Sequence, residues 1–393
     1  MTQQRKAVAL ISGGLDSLLA AKAMLEQGIH VEGINFFTGF CVEGHTHAIL
    51  KQDNKKSKRN NSLWVAEQLG IKLHIVDIVE EYKDVVINPK HGYGANLNPC
   101  LDCKVFMVQK AREWMEKRGF DFIITGEVIG QRPMSQRKDT MPVIQQESGI
   151  DDRLLRPLCA KNLPETLPER EGWVDRAKLH SITGRSRKPQ MAMAEQFGFV
   201  DYAQPAGGCC FLTDEQYSVK LADLWQHRGE KRYELDDIML LKVGRHIRPA
   251  PHYKLIVSRE DGENKFLNGY RKQFSTIEIK SHNGPLTLVD GELSDEDAIQ
   301  AARIAARFSQ GREEESVTVK VTREGGGEGG RGGGWEGGPA GRGASNPGPS
   351  GGGTARGRGG GWWGEGRRRT RAGRTDWVSR QRRVRWGVGK RAA

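Results

Sequence analysis

The feature that most constrains the fold of this chain lies in its first 27 residues. An apolar run, KAVALI (6–11), leads into the loop SGGLDS (12–17), and an amphipathic helical pattern follows as far as residue 27. The two glycines allow backbone N–H groups to turn toward an anion, and the helix adds its positive N-terminal end. This order of strand, loop and helix predicts a phosphate-binding loop in an α/β fold.

The loop contains no lysine, although Walker-type loops use one to hold the β- and γ-phosphates. It therefore suits pyrophosphate as a leaving group, which implies attack at the α-phosphate of ATP and transfer of AMP to a substrate oxygen. Asp16 could hold Mg²⁺ there. The residues that would hold the pyrophosphate are Ser12, Gly13, Gly14 and Ser17. A glycine-rich turn that caps a helix is the plainer interpretation, but the complete motif in this context favours the nucleotide loop.

Strands and helices alternate along the first 160 residues. The predicted strands after the first are HVEGINFF (30–37), KLHIVDI (72–78) and FDFIITGE (120–127), and the predicted helices lie at about 56–69 and 104–119. Such alternation predicts an open parallel sheet with flanking helices, in which ligands bind beyond the carboxyl ends of the strands. The loops at 12–17 and 125–136 both follow such ends.

The pattern changes further along the chain. After an ATP-binding domain at 1–160, we predict a mostly helical extension at 161–232 that completes the active site. From 233 to 323, short alternating strands that begin with DIMLLKV (237–243), together with one helix, predict a small α+β domain.

Residues 324–393 form a tail of different composition. They contain 14 Arg and one Lys against five acidic residues, a balance of +10, so that only +2 of the formal net charge of +12 belongs to residues 1–323. They hold 25 of the 50 glycines and no Leu, Ile, Met, Phe or Tyr, which predicts disorder. An RNA-binding tail is one interpretation, but the composition favours the product of a shifted reading frame in GC-rich DNA.

A second loop narrows the interpretation. TGEVIGQRPMSQ (125–136), followed by LLRPLCAKNL (154–163), resembles the TGE-x-x-GQ-x-x-SQ loop and the later RPL segment of bacterial tRNA 4-thiouridine synthetases. These are PP-loop ATP pyrophosphatases with an adenine nucleotide alpha hydrolase-like fold. The resemblance implies that this region binds ATP and frames the active site, although three residues instead of two separate Gln131 from Ser135. The matching positions are Thr125, Gly126, Glu127, Gly130, Gln131, Ser135, Gln136, Arg156 and Pro157.

Six cysteines are too few for a disulfide scaffold in 393 residues, and they indicate a reduced, cytoplasmic protein. Cys100 and Cys103 form a C-x-x-C motif before the helix expected at 104, and thiolates are favoured at a helix N-terminus. Together with Cys209 they could ligate a [4Fe–4S] cluster that leaves one iron open for sulfide. Cys210 could substitute for Cys209. This pattern resembles the iron–sulfur subgroup of tRNA thiouridine synthetases.

Other uses of the cysteines stay open. Persulfide chemistry would need one thiol to carry sulfur and another to resolve it, and structural zinc would need a fourth ligand. Cys159 is predicted to be a buried apolar residue. Cys41 with His45 and His47 offers a weaker metal site, because histidines in a polar loop are usually solvated.

Two basic segments suggest contacts with RNA. Arg185, Arg187 and Lys188 precede a predicted helix and could contact tRNA phosphates or pyrophosphate, with a solvated turn as the alternative. The segment around VGRHIR (240–270) resembles the RNA-binding domain of NFACT proteins, which could replace the THUMP module that 4-thiouridine synthetases carry. That resemblance implies that five residues face RNA, namely Lys242, Arg245, His246, Arg248 and Arg259.

These features together predict an enzyme that uses ATP, Mg²⁺ and a [4Fe–4S] cluster to adenylylate a uracil carbonyl oxygen of tRNA and replace it with sulfur. Catalysis would depend on Asp16, Cys100, Cys103 and Cys209. The sulfur donor would be sulfide or a persulfide from a cysteine desulfurase, a homodimer is compatible, and no segment is long enough to span a membrane. The alternatives are a PP-loop synthetase that acts on a small molecule and a non-catalytic RNA-binding protein.

Overall fold

The computed structural model of the protein describes residues 4–42, 60–203 and 210–323, and the backbone of 335–336. The predictions for Cys209, for His45 and His47, and for the rest of the tail lie outside these residues. None of the helices in the described ranges is long and apolar enough to cross a membrane.

The first part of the chain forms a five-stranded parallel sheet in the order β3-β2-β1-β4-β5. The strands are β1 (Lys6–Leu10), β2 (His30–Phe37), β3 (Leu73–Asp77), β4 (Phe122–Ile124) and β5 (Leu154–Leu155). The α-helices of this part are α1 (Leu15–Leu25), α2 (Asn61–Leu69), α3 (Lys83–Ile87), α4 (Cys100–Arg118), α5 (Met141–Glu147), α6 (Leu167–Arg170) and α7 (Lys188–Gln196). A parallel sheet with flanking helices confirms the predicted fold class.

Strand β1 lies at the centre of this sheet, with β2 on one side and β4 on the other. Its buried side chains alternate between two apolar clusters. Ala7 packs in the cluster that includes Leu18 of α1, and Val8 packs in the cluster that includes Val108 of α4. Since the chain leaves β1 toward β2 and returns at β4 on the other side, the loops after β1 and β4 flank the point where the strand order reverses, where open α/β sheets bind ligands.

The later part of the chain forms a six-stranded antiparallel sheet in the order β11-β10-β8-β9-β7-β6. Its strands are β6 (Arg245–Ala250), β7 (Tyr253–Val257), β8 (Ser275–Ile279), β9 (Leu286–Gly291), β10 (Thr318–Thr322) and β11 (Trp335–Glu336). The α-helices here are α8 (Glu215–Arg228), α9 (Leu235–Leu240), α10 (Asp261–Asn268) and α11 (Asp295–Ala306). This confirms the small α+β unit, while β11 adds two residues of the predicted disordered tail to the sheet.

One predicted strand is wrong. DIMLLKV (237–243) begins inside helix α9, where the backbone N–H of Glu234 donates to Asp237 Oδ2 at 2.7 Å and closes the first turn. The buried residues Ile238 and Leu241 are three apart, a helical spacing that the run of apolar residues concealed.

The C-x-x-C motif also differs from its prediction. Helix α4 begins at Cys100 and not at 104, and the N–H of Cys103 donates to the carbonyl of Pro99 at 2.8 Å. Asp102 lies in the same first turn, where a carboxylate is favoured by the helix dipole. Both cysteines are therefore helical residues at the positive end of α4.

Candidate nucleotide and thiol site

The first loop folds around its glycines. Gly13 has a φ of +77°, and a Cβ there would lie 2.8 Å from the backbone nitrogen of Ser62 at the start of α2. Ser17 donates its hydroxyl to the carbonyl of Gly14 at 2.8 Å, and Ser12 Oγ lies 3.5 Å from Ser17 Oγ. The start of α1 and the start of α2 therefore meet at this loop, which directs two positive helix ends to one place.

The second loop lies directly against the first. A Cβ on Gly126 would lie 2.5 Å from both the carbonyl carbon and the oxygen of Asp16. A residue with a Cβ does not fit at this position. The glycine of the T-G-E motif therefore allows backbone contact between the loop after β4 and the loop after β1.

Asp16 is the charged centre of the two loops. Its Oδ2 accepts hydrogen bonds from Gln131 Nε2 at 2.6 Å and from Arg187 Nη1 at 2.9 Å. Its Oδ1 is buried and has no hydrogen-bond partner among the residues that the structure describes. A carboxylate oxygen left in this state is the type of ligand that Mg²⁺ prefers, so the residues present fit the ion that the sequence implied.

Gln190 was not identified from the sequence. It is fully buried, and its Nε2 donates to Gln131 Oε1 at 2.7 Å. Gln131 is thus held by α7 on one side while it donates to Asp16 on the other. The only signal in the sequence was a polar residue close behind a basic loop, which is common on helix surfaces.

Glu127 and Thr125 are almost completely buried behind this contact. Glu127 Oε2 accepts from Thr125 Oγ1 at 2.9 Å and from Arg156 Nε at 3.1 Å, and Lys104 Nζ lies 3.9 Å from Oε1. Burial by itself would raise the pKa of Glu127, but Lys104 and Arg156 outweigh it and hold the pKa below its ordinary value. The buried side chains of Thr125 and Glu127 therefore stabilise the loop after β4 from its buried side.

The thiol of Cys100 connects helix α4 to the second loop. Cys100 Sγ donates to Ser135 Oγ at 3.3 Å, and Ser135 itself is buried. The loop that binds Asp16 through Gln131 therefore also carries the partner of the first cysteine. One segment of twelve residues, 125–136, therefore joins the candidate nucleotide site to a thiol.

Cys103 and Cys210 lie close to this helix start. Cys103 packs against an apolar cluster that includes Phe40 and Leu212, and Cys210 packs against the same cluster. Cys210 Sγ contacts Asn98 Oδ1 at 3.7 Å, two residues before Cys100. Among the described residues no three His, Cys, Asp or Glu side chains form a group that could hold a metal ion. The described residues include two of the three predicted cluster ligands, Cys100 and Cys103, but not Cys209.

Cys159 is fully buried, as predicted. Its thiol donates to the carbonyl of Glu127 at 3.2 Å, and burial raises its pKa to about 11. A thiol in this state is inert near neutral pH, which makes Cys159 a useful control for the other cysteines.

Two regions of the chain match known families. Residues 2–165 match the family described as thiamine biosynthesis protein (ThiI), and residues 244–330 match the NFACT protein RNA binding domain. The chain joins a ThiI-type domain to an NFACT-type domain.

Curated relatives are similar to more than half of this chain. The tRNA-specific 2-thiouridylase MnmA of Petrotoga mobilis is 31% identical over 225 residues, which are 54% of this chain and 57% of that protein. The protein of the same name from Christiangramia forsetii is 25% identical over 325 residues, 74% of this chain and 75% of that protein. The chain thus spans little more than half the length of the first of these relatives.

A crystal structure of a 4-thiouridine synthetase–RNA complex with bound ATP is also similar. It shares 26% identity, covers 39% of this chain and 36% of that chain, and has a TM-score of 0.30.

The basic loop after the ThiI-type domain divides into two parts. Gly184 N–H donates to the carbonyl of Ile129 at 2.7 Å, which fastens this loop to the second nucleotide loop. Arg187 is mostly enclosed and binds Asp16, whereas Arg185 and Lys188 are exposed. Arg187 therefore lies with Asp16 in the candidate site, and Arg185 and Lys188 are exposed beside it.

The NFACT-type domain corrects part of the predicted RNA surface. Lys242, just before this domain, is 6% exposed, and its ammonium donates to the carbonyl of Gly39. His246 Nε2 lies 3.0 Å from the carbonyl of Val243 and 3.2 Å from that of Leu240. Both side chains are therefore occupied inside the protein in this structure.

Two further cations are held by carboxylates. Arg248 donates to both oxygens of Asp223 on α8, each at 2.8 Å, and Arg259 Nε donates to Glu263 Oε1 at 2.9 Å. Lys254 Nζ, 3.2 Å from Asp223 Oδ2, completes the first of these groups. Although burial alone would raise it, the pKa of Asp223 is held at about 2 by Arg248 and Lys254.

Arg245 and Arg259 are the exposed members of the five, but Arg259 is paired with Glu263. The guanidinium carbon of Arg245 lies 5.0 Å from the ring centroid of Phe308, a residue that is 38% exposed. An arginine over an exposed aromatic ring is an arrangement that can stack with a nucleic-acid base.

Proposed function

We propose that this chain is an ATP-dependent tRNA uridine thiolase. It adenylylates a uracil carbonyl oxygen and replaces it with sulfur, which yields 4-thiouridine or 2-thiouridine. The observation that carries the proposal is the hydrogen bond from Cys100 Sγ to Ser135 Oγ at 3.3 Å, because the same loop binds Asp16 through Gln131. A thiol and a nucleotide loop so joined suit a reaction that first activates an oxygen and then delivers sulfur. The names of the two curated relatives support the same reaction class.

In the first step the uracil oxygen attacks the α-phosphorus of ATP and pyrophosphate leaves. Ser12, Gly13, Gly14 and Ser17 would bind the pyrophosphate with hydroxyl and N–H groups at the starts of α1 and α2. Asp16 would hold Mg²⁺, which supplies positive charge for the leaving group, through the Oδ1 that has no partner among the described residues. Arg187, already bound to Asp16, lies where it could contact the same phosphates. Thr125 and Glu127 would act by positioning Gly126 and Gln131.

In the second step sulfur attacks the activated uracil carbon and AMP leaves with the former carbonyl oxygen. Cys100, Cys103 and Cys209 would hold a [4Fe–4S] cluster, which would supply sulfide. Without a cluster, a persulfide on one cysteine would transfer its outer sulfur, and a second cysteine would release the product as a disulfide forms. The structure describes Cys100 and Cys103 but not Cys209. We therefore give Cys100 and Cys103 the role that both routes share, which is to hold sulfur beside the adenylylated base.

The remaining segments would serve the tRNA. Residues 161–232 complete the active site after the ATP-binding domain at 1–160, a proposal supported by the contacts of Arg187 and Gln190 with the nucleotide loops. Residues 233–323 would bind RNA through exposed cations such as Arg245, and Arg185 and Lys188 would contact phosphates at the rim of the site.

The experiment that tests this proposal is anaerobic turnover by the full chain. The protein, with iron and sulfide restored, is mixed with unthiolated tRNA, ATP, Mg²⁺ and sulfide, and the digested nucleosides are read by mass spectrometry. We expect a thiouridine that disappears in Asp16→Asn and Cys103→Ser and persists in the matched control Cys159→Ala. The 2- or 4-isomer identifies the carbonyl. Iron content of the wild type and of Cys100→Ser distinguishes the cluster from the persulfide route.

A synthetase that acts on a small molecule is the second candidate. It is favoured by one observation, that four of the five basic residues predicted to face RNA between 242 and 259 are enclosed or paired with carboxylates. If AMP and pyrophosphate form while tRNA stays unthiolated and unbound, this candidate replaces the first. If the wild type binds tRNA but consumes no ATP, and Asp16→Asn binds tRNA equally well, the chain is a non-catalytic RNA-binding protein.

A further inference from the structure

Cys41 has no part in the reaction proposed above, yet it lies opposite Cys210. The two residues pair in an isolated antiparallel bridge between the segment after β2 and the segment before α8. The N–H of Phe211 donates to the carbonyl of Phe40 at 2.9 Å, so this bond flanks the pair and does not join the two cysteines to each other. Cys41 and Cys210 thus form a non-hydrogen-bonded pair, the type in which opposite Cα atoms are only about 4.5 Å apart.

Residues paired in this way direct their side chains to the same face of the ladder. A Cα separation of about 4.5 Å also lies inside the range of about 4.4–6.8 Å that disulfides span. The backbone pairing of Cys41 with Cys210 is therefore compatible with the geometry that a disulfide requires.

Both residues are thiols in the structure, and each sulfur has polar neighbours. Cys41 Sγ lies 3.5 Å from Thr38 Oγ1 and 3.9 Å from the carbonyl of Phe36. Cys210 Sγ lies 3.7 Å from Asn98 Oδ1. A thiol is a weak donor, and a change of χ1 at each residue exchanges these contacts for a bond between the sulfurs.

We propose that Cys41 and Cys210 form a reversible disulfide, in which Cys41 is the resolving thiol for an oxidised Cys210. The bond would turn Cys210 away from Asn98 and from the helix start that carries Cys100. Cys41 would thereby protect Cys210 from further oxidation and withdraw it from the thiol site at the same time. The inference goes beyond the proposed function, because the disulfide is defined by its own chemistry whatever the chain modifies.

The step balances with a small disulfide as the oxidant. The thiolate of Cys210 attacks one sulfur of oxidised glutathione and releases one glutathione thiolate. The thiolate of Cys41 then attacks Cys210 Sγ, forms the protein disulfide and releases the second thiolate. Two protein thiols are oxidised, one glutathione disulfide is reduced to two thiols, and the two protein protons pass to the leaving thiolates.

The test uses full-length reduced protein treated anaerobically with oxidised glutathione, then alkylated, digested with trypsin and analysed by mass spectrometry. We expect the peptide that contains Cys41 to be joined to the peptide that contains Cys210. Cys209 and Cys210 share one tryptic peptide, so Cys209→Ser is the matched variant that must keep the cross-link. Cys159→Ala must keep it too, and both Cys41→Ser and Cys210→Ser must lose it. In Cys41→Ser we expect the glutathione adduct on Cys210 to persist at least tenfold longer than in wild type.

Three results would overturn the proposal. One is a cross-link from Cys210 to Cys100 or Cys103 that is unchanged in Cys41→Ser. Another is loss of the Cys41 cross-link in Cys209→Ser, which would assign the bond to Cys209. The third is full alkylation of Cys41 in wild-type protein whose Cys210 carries glutathione. Circular dichroism of each variant separates these results from failure to fold.

Discussion

The ionisable groups in the loops of the parallel sheet differ from those beside the antiparallel sheet in how completely they are paired. At the ends of β1 and β4, Asp16 keeps a buried oxygen without a protein partner among the described residues, although two donors reach its other oxygen. Around β6 and β7, Asp223 is matched by a bidentate arginine and a lysine. A buried charge left incomplete costs stability and is retained where a ligand completes it, whereas a matched charge holds two elements of the protein together. The predictions below test that difference.

The largest contrast is expected between Asp16 and Asp223. Asp16→Asn should lower ATP-dependent turnover by roughly 100-fold or more, because the ligand for Mg²⁺ is lost, while the midpoint of thermal unfolding stays near that of wild type. Asp223→Asn should do the opposite and cost about 2 kcal/mol of stability with turnover by the folded enzyme preserved. Steady-state kinetics and urea unfolding of both variants measure the two quantities. Equal effects of the two changes on turnover would refute the comparison.

Gly126 tests the contact between the two nucleotide loops. An alanine Cβ would lie 2.5 Å from the carbonyl of Asp16, so Gly126→Ala should separate the loops, lower turnover at least about tenfold and cost about 1–3 kcal/mol. Gly172→Ala is the matched control, since Gly172 has a φ of +67° but, its chain neighbours aside, no atom of the described residues lies within 4 Å of an added Cβ. Its backbone strain should lower stability by about 1 kcal/mol and leave turnover unchanged. Turnover that is equal in both variants would mean that the loops do not act together.

Substitution of an exposed arginine should affect RNA affinity, whereas substitution of an arginine paired with a carboxylate should affect stability. Arg185→Gln removes an exposed cation, and we expect tRNA affinity to fall about three- to tenfold and the slope of log K against log salt to decrease by about 1. Arg248→Gln breaks the bidentate pair with Asp223 and should lower stability by about 1–3 kcal/mol. Filter binding at several salt concentrations and thermal unfolding give the two measurements. A change in salt slope for Arg248→Gln with unchanged stability would return that residue to the RNA surface.

The smallest effect is a pH dependence at Lys242. Burial lowers its pKa to about 8 from 10.5, so between pH 8 and pH 10 the unfolded chain binds more protons than the folded protein and stability rises with pH. Below pH 8 both states are protonated and this group contributes no slope. Lys242→Met should reduce the rise, by at most about 1.4 kcal/mol per pH unit. Part of it should remain, because burial also lowers the pKa of Lys220 to about 8.

The control for this experiment is Lys265→Met, since the Lys265 side chain is 62% exposed and pairs only at the surface with Asp261. Urea unfolding at half-unit steps from pH 7 to pH 10 measures the slopes. An identical rise in Lys242→Met and in wild type would show that the buried ammonium does not release its proton in this range.

The local motifs were readable from the sequence because each depends on neighbours in the chain. A loop rich in glycine between a strand and a helix identified residues 12–17, and the T-G-E motif identified the loop after β4. The pattern of apolar residues did not identify the secondary structure where it fits both the helical and the strand period. DIMLLKV is apolar at helical and strand positions alike, and the hydrogen bond between Glu234 and Asp237 decided for a helix.

The sequence by itself determined the parallel fold, the two loops that follow β1 and β4, and the presence of the two cysteines near a helix start, because strand period, glycine content and helix polarity act over a few residues. Only the tertiary structure decided which charges are matched and which remain available. Arg187 reaches Asp16 across 171 residues, and Arg248 of strand β6 reaches Asp223 of helix α8. The pairing of Cys41 with Cys210 is of the same kind, since a backbone bridge between distant segments follows from the packing of the whole chain and leaves no trace in either segment alone.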